Sequence, residues 1–286
     1  MNRTRQSHLK VAALSHAGMS GKNNEDRYAV ASYLLETGQP VLFAVLSDGI
    51  GGHQAGEVAA ELAVNYIIEN VSHSNGRNPI QIMENAIHTA SQAIAARSAS
   101  REEHHGMGAT CACIWIEAHN LYIAYVGDTR IYLVRDGSIH RLTIDHTWVQ
   151  EALDRGLITP AQAHDHPNVH VIRRHLGSVE LPDVDFRLML NGDEDRQQAH
   201  DNQGAPLKPG DRLLMCTDGL TDLVWDDEIL RLILTRNSLG SAAEDLVAQA
   251  NERGGYDNVT VILIGVPGPE ETRPLKKKGL LNGWLG

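Results

Sequence analysis

Acidic residues at the edges of apolar runs are what this 286-residue chain offers to chemistry. Glu25 and Asp26 stand in NNEDR, Asp48 in SDGIGG and Asp128 in VGDTR. Asp218 and Asp222 stand in TDGLTD, and Asp257 in YDNVTV. An ionised carboxylate beside a low-dielectric core is costly unless a countercharge sits next to it. Arg27 and Arg130 are close in sequence, but neighbours on a strand point to opposite faces. A divalent cation is the simpler countercharge. Mg²⁺ and Mn²⁺ take oxygen ligands and keep several waters, so three or four aspartates and a backbone carbonyl suit two such ions. Gly49 and Gly219, each following an aspartate, are expected to let the backbone turn sharply beside the ion. A single Asp-Gly after a strand is ordinarily only a turn, and DGIGGH also has the glycine content of a phosphate-cradling loop. The five stretches taken together, all at strand ends, point to a metal centre.

Composition narrows the partners. The formal net charge of −11 disfavours nucleic acid or an anionic membrane surface. Cys111, Cys113 and Cys216 lie inside apolar runs with no Cys-x-x-Cys pair, and read as buried small hydrophobes in a reducing compartment. The N-terminal residues carry no sustained apolar core for a signal peptide, and no run approaches the roughly 20 apolar residues of a membrane span. A cytoplasmic location is expected.

The elements that must position the acids follow from periodicity. Strand patterns cover Val11–Ser15, Arg27–Leu35 and Val41–Ser47, the last almost continuously apolar. Two amphipathic helices come next, one through Ala59, Leu62, Ala63, Tyr66 and Ile67, the other through Ile80, Met83, Ile87 and Ile94 behind Pro79. A block of strands then includes a hairpin turn at Arg135-Asp136-Gly137-Ser138. Residues 146–175 are irregular and rich in histidine, and 191–206 read as a polar, mobile loop. A strand through DRLLMCTDG, helices at Asp226–Thr235 and Ser241–Glu252, and a strand through NVTVILIGV complete the pattern. Strands and helices are segregated, which argues α+β with antiparallel sheets and helices outside them.

Eight ordered motifs carry a resemblance: NNEDR, SDGIGGHQAGEVAAEL, GMGAT, YVGDTRIYLVRDG, LTIDHT, RRHLG, LKPGDRLLMCTDGLTDLV and YDNVTVILI. From about Leu9 to Val266 the chain resembles the bacterial branch of protein phosphatase 2C, the metal-dependent serine/threonine phosphatases. The resemblance implies a four-layer α-β-β-α sandwich, with two central antiparallel sheets flanked by helices. It implies one phosphatase domain over 1–266, with a flap at about 146–176, and a tail or linker at 267–286. Two Mn²⁺ or Mg²⁺ ions are implied, with room for a third. Carried over residue by residue, Asp48 bridges both ions, the Gly49 carbonyl joins the second, and Asp218 and Asp257 bind the first. Glu25 and Asp26 lie at the second ion's water shell, and Asp128 holds the weaker third ion. Asp48, Asp218 and Asp257 are thus the expected catalytic set.

The implied reaction is hydrolysis of phosphoserine and phosphothreonine monoesters by a water acidified between the ions, with no phosphoenzyme. The implied partners are phosphoproteins made by a serine/threonine kinase, met by a monomer. The alternative is a pseudophosphatase that binds phosphoproteins without turnover. Two departures bear on this choice. The family's phosphate-binding arginine position is Gly21 here, with Lys22 beside it, and a lysine offers a point charge without a bidentate fork. Lys22 is expected to bind the phosphate in its place. The position of the general-acid histidine of animal members is Ile50, and His53 is expected to brace the glycine turn. His164, His166, His170 and His175 are read as solvated or loosely packed rather than as a zinc site.

Overall fold

Apolar runs of this chain pair into two sheets because each run has a second apolar face to hide. The computed structural model describes residues 1–51, 55–163 and 166–268. The first half holds β1 (Asn2–Thr4), β2 (Lys10–His16), β3 (Arg27–Leu34), β4 (Pro40–Ser47), β5 (Gly49–Ile50), α1 (Ala55–His73) and α2 (Pro79–Ser100). The middle holds β6 (Gly108–Ala109), β7 (Cys111–Glu117), β8 (Asn120–Val126), β9 (Arg130–Arg135), β10 (Ser138–Arg141), α3 (Trp148–Asp154) and α4 (Pro160–Ala163). The last part holds α5 (Arg196–Asp201), β11 (Ala205–Pro206), β12 (Arg212–Cys216), α6 (Asp218–Thr221), α7 (Asp226–Thr235), α8 (Leu239–Glu252) and β13 (Val259–Gly265).

One sheet has the order β1-β3-β4-β7-β8-β11 and the other β10-β9-β12-β13-β2, with β5 and β6 paired apart. Every pairing is antiparallel. Strand alternation divides the apolar residues among three cores. Leu42, Leu46 and Ile114 of the first sheet meet Ile131, Met215 and Ile262 of the second. Phe43 and Val45, on the other face of β4, pack against Ile67 of α1 and Met83 of α2. Tyr132, Leu214 and Leu263 on the outer face of the second sheet pack against α7 and α8. The layers are therefore α-β-β-α, as the resemblance implied. Ile262 is fully buried at the sheet-to-sheet core. Ile262→Ala should cost about 2–5 kcal/mol, read as a lower urea midpoint at unchanged slope. An unmoved midpoint would remove Ile262 from that core.

Local signals behave as their chemistry requires. Pro79 opens α2 and the Asn78 side chain accepts from the Gln81 N–H. The hairpin at Asp136-Gly137 has both residues at positive φ, 52° and 78°, the geometry of a two-residue type I′ turn. All three cysteines are buried and free. The stretch 191–206 differs from the mobile loop expected. Asp195 and Gln198 form a reciprocal capping box that starts α5, and β11 then pairs with β8. Glu194 accepts the N–H groups of Leu190, Asn191 and Gly192. Its polar side chains satisfy backbone groups while staying largely exposed. Among the described residues no helix is long and apolar enough to cross a membrane. His53, His164 and the tail from residue 269 lie outside the described residues.

Register decides where the acids go. Arg27 pairs with Ser47, Cys111 with Val126, Cys216 with Arg130 and Val261, and Val259 with His16. Asp26 precedes Arg27, Asp48 follows Ser47, Asp218 lies just past Cys216 and Asp257 just before Val259. Four acids remote in sequence thus leave their strands at one end of the sandwich, and Asp128 precedes β9 at that same end.

Candidate metal centre

Thr110 anchors the first of these acids. The Asp48 N–H donates to Thr110 Oγ1 at 3.0 Å, and the Thr110 N–H donates to the Asp48 carbonyl at 2.9 Å. Thr110 Oγ1 also lies 2.6 Å from Thr129 Oγ1, tying Asp48 to the residue after Asp128. Gly127 has φ +109° and presents Asp128; its N–H donates to His146 Nδ1, and its carbonyl accepts from the His146 N–H. Asn258 holds the remaining loops together. Its Oδ1 accepts from the Glu25 N–H at 2.7 Å, and its Nδ2 donates to the carbonyls of Ala17 and Asn23.

The glycines serve close approach, which corrects the sharp-turn expectation. Neither Gly49 nor Gly219 adopts a left-handed backbone. A Cβ on Gly49 would lie 2.1 Å from the Gly56 carbonyl oxygen, and one on Gly219 would lie 2.0 Å from the Asn258 carbonyl oxygen. Only bare backbones allow α1 to sit against Gly49, and α6 to set Asp218 beside the Asp257–Asn258 pair.

The electrostatics of the assembled acids are unfavourable without a cation. Burial, then the charges of Asp26, Asp218, Asp128 and Asp257, push Asp48 well above the usual carboxylate range. Burial and the charges of Asp128, Asp222, Asp257 and Asp26 do the same to Asp218. Burial pushes Asp26 up to about 7 even though Thr217 donates to its Oδ2. Burial, with Asp145 nearby, pushes Asp128 up to about 7. Glu25 is raised by burial and by Asp257, and Lys22 opposes that rise from an exposed position. The two nearby arginines serve elsewhere: Arg27 pairs with Glu57, and Arg130 grips Asp145 through two nitrogens. Asp26 Oδ1 and Asp218 Oδ1 are buried with no hydrogen-bond partner. Buried oxygens left orphaned among like charges are what a divalent ion would satisfy, so the residues present fit Mg²⁺ or Mn²⁺.

A cleft of about 1030 Å³ opens over Asp128, Asp218, Asp222 and Asp257, and is walled in part by Val149 and Val169 of the 146–176 segment. That segment is pinched at its neck by the bridge Thr147↔Ile172 and by the Trp148 N–H to the Val171 carbonyl. Among the described residues, the trio whose ligand atoms all approach within 4.8 Å is His170, Asp218 and Asp222. Asp48 and Asp257 are coupled to Asp218 by their charges without closing to that spacing. The sequence reading left Asp222 and Asn258 without roles, and set His170 aside. Asp222 had a signal, since it stands one helical turn after Asp218.

A family profile described as Protein phosphatase 2C matches residues 15–250. The chain belongs to the protein phosphatase 2C family. This family member is 34% identical over 259 residues to the serine/threonine protein phosphatase PstP of Mycobacterium tuberculosis, covering 90% of this chain and 45% of that protein. It is 30% identical to the protein phosphatase PhpP of Streptococcus pneumoniae, covering 90% of this chain and 98% of that one. Among solved structures it is similar to the catalytic domain of PstP in complex with two manganese ions. There the TM-score is 0.73 at 32% identity, with 91% of this chain and 98% of that chain covered.

Proposed function

We propose that this protein is a metal-dependent serine/threonine protein phosphatase that hydrolyses phosphoserine and phosphothreonine monoesters. The observation that carries the reading is the set of buried and half-buried aspartates at one end of the sandwich, Asp26, Asp48, Asp128 and Asp218, raised together, with orphaned oxygens on Asp26 and Asp218. The names of the relatives and the manganese pair of the similar structure support it. In this reading Asp48, the Gly49 carbonyl, Asp218 and Asp257 would hold two divalent ions. Asp128 serves a third. Glu25 and Asp26 orient water, and Lys22 attracts the phosphate.

When bound, two divalent ions acidify a water between them and neutralise charge on the phosphoryl group. The chain's own part is positioning. Thr110 fixes the direction of Asp48 from both sides of its peptide, so the bridging carboxylate is set before substrate arrives. Asn258 ties the loop that carries Lys22 and Glu25 to the backbone beside Asp257, so the phosphate-attracting charge and the centre move together. The 146–176 segment is proposed as the flap of a domain over 1–266; it walls the cleft and limits water there. A monomeric enzyme is proposed, and the free buried cysteines support a cytoplasmic one. The substrates are proposed to be phosphoproteins made by a serine/threonine kinase.

The test is turnover of a phosphothreonine peptide with Mn²⁺ against the same assay in EDTA. Turnover that requires Mn²⁺ and leaves no phosphate on the protein is expected. A peptide that binds in Mn²⁺ but is never hydrolysed would instead assign the chain to the phosphoprotein-binding alternative, to which the Gly21 and Lys22 departure points.

A further inference from the structure

Trp225 breaks a local rule at the cleft. It occupies the N-cap position of α7, where Ser, Thr, Asp and Asn are favoured because their side chains accept a backbone N–H. An indole carries only a donor, so Trp225 has nothing to accept with. The turn is closed by Glu228 instead: its Oε2 accepts from the Trp225 N–H at 3.2 Å, and Arg253 grips the same carboxylate. Trp225 is also 55% exposed. A tryptophan that neither caps its helix nor hides in the core costs stability on both counts. Such departures from local preference fall where function needs the side chain.

Its surroundings define what it takes. Trp225 and Tyr256 are the two most exposed aromatic residues among the described residues, and both line the cleft that opens over Asp218 and Asp257. A protein substrate of the proposed phosphatase must lay the residues beside its phosphorylated side chain in that cleft. Asp226 and Asp227 follow Trp225, are exposed and line the same cleft. Among the described residues neither is gripped by an arginine as Glu228 is. An aromatic face beside surplus carboxylates suits a cation. A planar guanidinium stacks on indole and pairs with carboxylates at once, which an ammonium does less well.

We propose that Trp225 sets the sequence preference of this enzyme, taking on its indole the guanidinium of an arginine that neighbours the phosphoresidue, while Asp226 and Asp227 match its charge. The proposal rests on the phosphatase reading and deepens it, naming the substrate class as phosphoproteins with an arginine close to the phosphorylated residue. Trp225 has no part in holding the ions, so its contribution is to binding and its loss should be felt in KM and not in kcat.

The experiment is Mn²⁺-dependent turnover of phosphothreonine peptides in which a single arginine is moved one position at a time along either side of the phosphoresidue, with alanine flanks as the reference. In wild type at least one position should raise kcat/KM by about 10-fold. Trp225→Ser should lose that preference through KM and, because serine is the better cap, should melt about 2 °C higher. Asp226→Asn combined with Asp227→Asn should lower the preference several-fold. Equal turnover of all the peptides by wild type would overturn the proposal and leave the phosphatase reading standing. A preference that survives in W225S would also overturn it, since another group would then read the arginine. If W225S melted lower and slowed every peptide alike, Trp225 would be a framework residue and the proposal would fall. Hydrolysis of none of the peptides would sink the phosphatase reading and this proposal with it.

Discussion

Asp48→Asn should abolish turnover and, in the absence of metal, make the protein more stable. Asp48 meets four other aspartates in a buried setting, which is why its carboxyl is held well above the usual range. An amide fills the same space and brings no charge. It cannot bridge two cations, so kcat on a phosphopeptide should fall by about 10³-fold or more, the scale seen when a group aimed at developing charge is removed. In EDTA at pH 8 the same change relieves burial and repulsion, and the melting temperature should rise by roughly 5 °C. Saturating Mn²⁺ should reverse the order, because only the wild type gains the binding energy of the ions. Opposite signs in the two conditions separate a metal ligand from a structural acid. If D48N lowered stability equally in EDTA and in Mn²⁺, Asp48 would be a framework residue and the centre would have to be rebuilt without it.

How much of this was legible in the chain depends on whether a feature is local. Apolar runs ending in acid are local, and β4 with Asp48 or β12 with Asp218 could be read directly from them. The hairpin at Asp136-Gly137 is local too. The capping box of α5 is equally local, but Asp195 and Gln198 are polar, and polarity without an apolar stripe reads as loop. What was missed otherwise is long-range. The need for glycine at 49 and 219 comes from Gly56 and from the Asn258 carbonyl, partners that no window around either glycine contains. Asn258 reads as a turn residue until its three bonds to the 17–25 loop are seen. His170 is exposed, as its solvated reading expected, and only its approach to Asp222 needs the fold to be seen.

Metal-free protein should lose stability as pH rises from 6.5 to 8.5, the opposite of what its ordinary ion pairs would do. Asp26 and Asp128 keep their protons up to about pH 7 in the folded chain, and burial with neighbouring aspartates likewise raises Asp48 and Asp218 well above the usual carboxylate range. In the unfolded chain the same carboxyls release protons near pH 4. Between those values the folded state binds more protons, so the free energy of unfolding falls with pH, by about 1.4 kcal/mol per pH unit for each excess proton. Other shifted groups act elsewhere. Asp185, held low against burial by His146 and Arg187, loses its contribution only in acid. His8 and His146 are lowered by burial and oppose the trend only below about pH 6.5. With EDTA present, the melting temperature should therefore drop by roughly 5 °C or more across the window. Mn²⁺ replaces those protons as the countercharge and binds better as they leave, so the metal-loaded profile should be flat or rising. A melting temperature in EDTA that climbs between pH 6.5 and 8.5 would mean that the aspartates are ionised and satisfied without any cation.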